Sequence, residues 1–132
     1  MTRTLQLKTQ GRDQALDITA QVAEVVAASG VAEGWCTVYA PHTTAAVTIN
    51  EAADPDVMAD VLLALDRLAP WRGDYRHAEG NAAAHVKSVL VGASVRVPVA
   101  QGRLALGTWQ GIFFMEFDGP RRRQARVAVE PA

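Results

Sequence analysis

One cysteine in 132 residues, 6% aromatics and no apolar run near the roughly 18 residues that cross a bilayer narrow the field before any motif is read. The lone thiol, Cys36, can form no intrachain disulfide, and its apolar neighbours in GWCTVYA suit packing better than nucleophilic chemistry. The opening MTRTLQLKTQ lacks the apolar core of a secretory leader, so a cytoplasmic protein with no membrane association is expected. Charge of neither sign dominates: 13 Lys and Arg stand against 14 Asp and Glu, for a net charge of -1. That balance argues against a nucleic-acid partner and for a small polar ligand or another protein, with Arg121, Arg122, Arg123 and Arg126 as a local exception. There is also no P-loop, no HExxH and no Cys/His finger spacing, and neither an internal repeat nor a low-complexity tract. What is present is a 49% hydrophobic composition, enough to fill the core of one domain over residues 1–132.

TRTLQLKT alternates with period two and predicts a strand over 3–9, turned by Gly11. DITAQVAEVVAASG predicts a helix with Ile18, Val22, Val25 and Val26 on one side, opened by Asp17 and ended by Gly30. GWCTVYA and AAVTIN predict strands separated by Pro41, which cannot donate to a ladder and marks a break just before His42. Asp54 as cap and Pro55 at the first helical position announce a second helix. Its apolar stripe reads Val57, Val61, Ala64, Leu65 and Leu68, with Asp60 at the stripe's edge and able to face a cleft. WRGDYRHAEG reads as a loop, unusually aromatic for a connector, and Asn81 as the cap of a short helix AAAHVKSVL ending at Gly92. SVRVPVA, GRLALG, QGIFFMEF and RQARVAVE predict further strands. About seven strands with three helices, and strands following one another at the C-terminal end, give an α+β fold. The expected form is a mostly antiparallel, β-sandwich-like single domain with about three packed helices.

His42, His77 and His85 are the whole histidine inventory. Three neutral imidazoles with an open fourth position would suit Zn2+, although the spacing alone is weak evidence for a metal. Glu116 interrupts the apolar run IFFMEF; alternation sets it with Phe114, opposite Phe113, Met115 and Phe117, so it either faces solvent or enters a polar site. Trp109 in GTWQG either closes the core or an interface, or stacks on a heteroaromatic ligand. The arginines after EFDGP either solvate a strand start or bind phosphate.

PHTTAAVTINEAADPDVMAD, YRHAEGNAAAHVKSVLVG and GRLALGTWQGIFFMEFDGPRRR, in this order, closely resemble the YjbQ-like family, also described as secondary thiamine-phosphate synthase enzymes. The family's HTT block falls on His42, Thr43 and Thr44, and its NE-x-x-DP-x-V block on Asn50, Glu51, Asp54, Pro55 and Val57, followed by Asp60. Its later features fall on Tyr75, Arg76, His77, His85, Lys87 and Ser88, and on Gly107 through Gly111. The resemblance implies a small homotrimer with a β-rich, sandwich-like fold and a histidine and carboxylate pocket near a subunit boundary. His42, His77 and His85 would hold a divalent metal, Zn2+ or Mg2+. Asp60, Glu116 and His77 would assist catalysis, and Thr43, Asn50, Trp109 and Arg121 would contact a small phosphorylated heteroaromatic substrate. The implied reaction joins an aminopyrimidine methyl diphosphate to a thiazole phosphate with release of pyrophosphate. The rival readings are a nonenzymatic metal- or small-molecule-binding trimer and a metal-assisted hydrolase of a small phosphorylated or carbonyl compound.

Overall fold

A computed structural model describes all of residues 1–132. The chain runs β1 (Thr2–Lys8), β2 (Gln14–Asp17), α1 (Thr19–Ser29), β3 (Gly34–Tyr39), β4 (Ala45–Glu51), α2 (Pro55–Leu68), α3 (Ala82–Val91), β5 (Ser94–Ala100), β6 (Arg103–Leu104), β7 (Gln110–Glu116) and β8 (Arg122–Pro131). The strands form two sheets, ordered β1-β8-β3-β5-β6 and β2-β7-β4, and every pairing is antiparallel. This is the expected α+β, sandwich-like architecture with three helices.

Strand alternation sorts the core into two clusters. Cys36, Val38, Val97, Val99, Val127 and Val129 from the five-stranded sheet meet Val47, Ile112 and Phe114 from the three-stranded sheet, with Ile18 just before α1 and Val22, Val25 and Val26 of α1 closing one end. On the other side of β7, Phe113, Met115 and Phe117 pack with Met58 and Leu65 of α2 and Ala84 of α3. Each fully buried aliphatic or aromatic side chain contributes roughly 1.5–3 kcal/mol, so β7, buried on both faces, is the strand around which the domain closes.

The helix signals act as expected at two sites and differently at a third. Asp17 Oδ1 accepts from the Thr19 amide at 3.0 Å, and Gly30 ends α1 with φ 69°, a left-handed conformation that suits glycine. Asp54 Oδ1 accepts from the Asp56 amide at 2.9 Å ahead of Pro55. Asn81, by contrast, gives its side chain no capping bond; its amide reaches across to Asp118 Oδ2 at 2.9 Å.

Three other expectations change. The α2 stripe is rotated: Met58 and Leu65 are buried and Val61 and Leu62 partly so, while Leu68 is 73% exposed and Ala64 is exposed. The helix packs beneath β7 rather than along the ridge that hydropathy alone selects. GRLALG contributes only two paired residues, Val99 and Ala100 facing Leu104 and Arg103. β2 was not expected; its four residues pair with Phe113–Glu116.

Candidate functional site

The break before His42 has a structural cause. β3 and β8 pair as far as Tyr39 opposite Arg126, after which Pro41 offers no amide and the chain turns toward β4. His42 fills the gap: its Nε2 lies 3.0 Å from the Gln124 amide nitrogen and 3.1 Å from the Gln124 carbonyl oxygen. One ring nitrogen satisfies one of these at a time, accepting from N–H when bare or donating to C=O when protonated. In the second tautomer Nδ1 keeps a free lone pair, the arrangement that metal-binding histidines commonly share. Burial lowers the pKa of His42 below 6.5 and the nearby Arg123 adds to the effect, against the opposing pull of the Gln124 bond and Glu116. The ring is therefore neutral at neutral pH.

Three clefts adjoin one another around the histidines. His42 and Thr43 share a cleft of about 420 Å³ with His85 and Ser88 of α3. On the other side of His42, a cleft of about 440 Å³ is walled by Tyr39, Thr44, Arg121 and Arg123. His77 stands edge-on to His85, ring centroids 5.1 Å apart, and lines a third cleft of about 460 Å³ with Trp71, Arg72 and Tyr75. The three histidines come from three separate segments and form a row from Arg121 to Trp71. α3 is held against this row by the Ser88 hydroxyl, which donates to the Ala45 carbonyl at 3.1 Å, and by the Val47 amide, which donates to the Gly92 carbonyl at 3.1 Å.

Beneath the row lies a buried ion pair. Glu116 is wholly buried and Arg123 nearly so. Arg123 Nε donates to both carboxylate oxygens, at 2.9 and 3.1 Å, and its Nη2 adds a short bond to Oε2. Thr9 Oγ1 donates to Oε1 at 2.8 Å, and the amides of Phe117 and Asp118 donate to Oε2. Burial raises the Glu116 pKa, but the Arg123, Thr9 and Asp118 bonds outweigh it and hold the carboxyl below 4.5. Arg123 Nη2 also reaches Thr44 Oγ1 at 2.8 Å, so this pair fixes the loop that carries His42.

The other expected site residues divide. Thr43 and Arg121 wall the clefts; the Arg121 guanidinium is half exposed and braced by Asp118, 3.1 Å from its carboxylate. Asp60 is exposed on α2 and lines none of the clefts. Asn50 is exposed and spends its Oδ1 on the Glu51 amide at 2.7 Å. Trp109 is 65% exposed and stands outside the clefts.

The family model described as UPF0047 protein YjbQ-like matches residues 3–131. The chain belongs to this family. The UPF0047 protein YugU of Bacillus subtilis is 55% identical over 130 residues, covering 98% of both chains. A crystal structure of a YjbQ/UPF0047 family protein from Clostridium acetobutylicum superposes with a TM-score of 0.96 at 51% identity, covering 97% of this chain and 99% of that one. The crystal structure of a hypothetical protein from Aeropyrum pernix gives a TM-score of 0.95 at 40% identity, covering 100% of this chain and 99% of that one.

In this YjbQ-like chain the donor chemistry suits a divalent metal. His77 and His85 supply adjacent imidazoles, and His42 would supply Nδ1 when Nε2 donates to Gln124. The single chain presents no group of three or more His, Cys, Asp or Glu side chains disposed to hold an ion, so the row as it stands supplies the donors without gathering them. Sequence reading gave Trp71 no role, carried Tyr75 only as a family feature, and did not foresee Arg123 as the partner of Glu116. The aromatic density of WRGDYRHAEG was the available signal for the first two; the basic cluster marked Arg123 as a solvated or phosphate-binding arginine, whereas it is buried against a carboxylate on another strand.

Proposed function

We propose that this protein is an enzyme acting on a small phosphorylated heteroaromatic compound held along the histidine row, with thiamine-phosphate synthase chemistry as the specific reaction. The observation that carries the reading is that all three histidines, from three separate segments, line adjoining clefts with Arg121 at one end and aromatic side chains at the other. In that reaction the thiazole nitrogen lone pair attacks the pyrimidine methylene carbon. The carbon–oxygen bond to the diphosphate breaks, and pyrophosphate leaves with the bonding electrons. In this reading Arg121 neutralises a phosphate group, Thr43 donates a hydroxyl, and Trp71 with Tyr75 flanks a ring. Neutral His42 can accept a proton or offer a lone pair without first losing one. Glu116 acts at one remove, by fixing Arg123 and thereby the His42 loop. A divalent ion bound by His42, His77 and His85 would supply Lewis-acid stabilisation of phosphate charge.

The working form in this proposal is a homotrimer. α3 turns Val86, Val89 and Leu90 outward, at 40, 83 and 56% exposure, and Val89 borders the cleft that holds His42 and His85. An apolar strip beside a functional cleft suits coverage by a second subunit.

Incubation with the two precursors and Mg2+ or Zn2+ tests the reaction. Product should form, and His42→Ala or His85→Ala should reduce the rate by about 10²-fold or more. Tight metal or ligand binding without turnover would favour a binding trimer, and phosphate release without coupling would favour a hydrolase.

A further inference from the structure

The outer face of the five-stranded sheet is bare. α1 packs on its inner side, and α2 and α3 lie beyond β7. Cross-strand register aligns the outward residues: Tyr39 opposes Arg126, Thr37 opposes Arg96, and Lys8 opposes Arg122. This face therefore carries Lys8, Arg96, Arg122 and Arg126 against the single acid Glu130, within a chain whose net charge is -1. Glu130 is engaged with Arg96 at 3.6 Å, and Arg96 stacks on Trp35, 4.3 Å from the ring centroid. Lys8, Arg122 and Arg126 have no acidic partner within salt-bridge distance. Like charges directly opposed across strands repel, and the Lys8–Arg122 pair flanks a shallow cleft of about 450 Å³. An anion seated there would turn that repulsion into attraction.

We propose that this face docks single-stranded nucleic acid. Arg122 and Arg126 lie four residues apart on β8, about 13 Å along the strand, which spaces the cationic sites for a backbone carrying successive phosphates rather than for one small anion. Tyr39, 42% exposed, offers a ring beside Arg126 on which an unpaired base can stack. A curved sheet face with an exposed aromatic favours a flexible single strand, which can follow the curvature, over a duplex, whose bases are already stacked. The near-neutral total charge conceals this surface because the compensating acids Glu51, Asp54, Asp56 and Asp60 lie around β4 and the start of α2. The face meets the histidine row at Tyr39, which also walls the His42 cleft, but the inference rests on the charge pattern of the sheet and not on the reaction.

Fluorescence anisotropy of the full chain with 5′-labelled oligo-U and with its duplex tests the proposal. The single strand should bind with Kd of about 10 µM at low salt, with log K falling against log salt at a slope of about -2 to -3 for three to four phosphate contacts. The duplex should bind more weakly. Arg122→Glu with Arg126→Glu should weaken binding at least tenfold while far-UV circular dichroism stays unchanged. The milder Arg122→Gln with Arg126→Gln should fall between that variant and the native chain, and Tyr39→Ala should also weaken binding. Arg67→Glu on α2 should leave binding within twofold. No binding at 100 µM protein, equal binding by the charge-reversed variant, or binding to anionic phosphatidylserine vesicles but not to oligo-U would overturn the proposal.

Discussion

Replacing Arg123 by Met should destabilise the protein severely and alter His42 at the same time. The substitution leaves Glu116 wholly buried with the Thr9 hydroxyl and two backbone amides but no countercharge. Breaking a buried ion pair from one side costs about 3–5 kcal/mol. For a domain of this length each kcal/mol moves Tm by about 3–5 °C, so Tm should fall by about 10–20 °C at fixed protein concentration. Glu116→Leu combined with Arg123→Met removes both charges and should recover at least half of that loss, because the cost lies in the stranded carboxylate. Arg123 also lowers the pKa of His42, so the His42 ring resonances should titrate at higher pH in Arg123→Met than in the native chain. Urea unfolding and NMR titration give the two readouts. A stability loss below about 1 kcal/mol, or a His42 pKa that stays put or falls, would refute the reasoning that this pair supports the His42 loop.

The remaining outcomes rest on separate contacts. On acidification, the unfolded chain protonates its histidine at the ordinary value near 6.5 before the folded chain protonates His42, whose pKa is lower. The His42 contribution is therefore complete above about pH 6.5 and lost as pH falls below it, and the Glu116 contribution is lost below 4.5 in the same direction; His42→Gln should abolish the first step in a urea–pH series. Lys87→Met should cost about 2 kcal/mol by urea unfolding, since the wholly buried ammonium bonds Asp13 at 2.7 Å and Asp66 at 3.1 Å but both carboxylates keep access to water. Gly34→Ala should lower the yield of folded protein, because its Cβ would overlap the Glu130 carbonyl across the β3–β8 ladder. By light scattering the native chain should give trimers and Val89→Asp should yield monomers.

Local signals carried the fold a long way. The alternation of β1, the Asp54-Pro55 start of α2 and the Pro41 break each correspond to an identifiable contact, and alternation in β7 correctly separated Phe114 and Glu116 from Phe113, Met115 and Phe117. What stayed hidden was decided at a distance. QALD has four residues and no alternation to speak of, and becomes β2 only by pairing with β7. The α2 stripe rotated because β7 selects the face it packs on, leaving Leu68 in solvent. Lys87 reads as a surface lysine until Asp13 and Asp66 are brought to it from elements 74 and 21 residues away. The same limit applies to the site. All three histidines stood out as candidates, their adjacency emerged only from the packing of α3 against β4, and Glu116 met its partner on β8 rather than an open cleft.

Anomalous scattering from crystals grown with Zn2+, repeated for His42→Ala, His77→Ala and His85→Ala, tests most directly whether the three imidazoles act as one site. The account predicts one ion per chain at the histidine row, with occupancy falling sharply in each variant. An ion bound elsewhere, or one retained in full when any of the three histidines is removed, would contradict it.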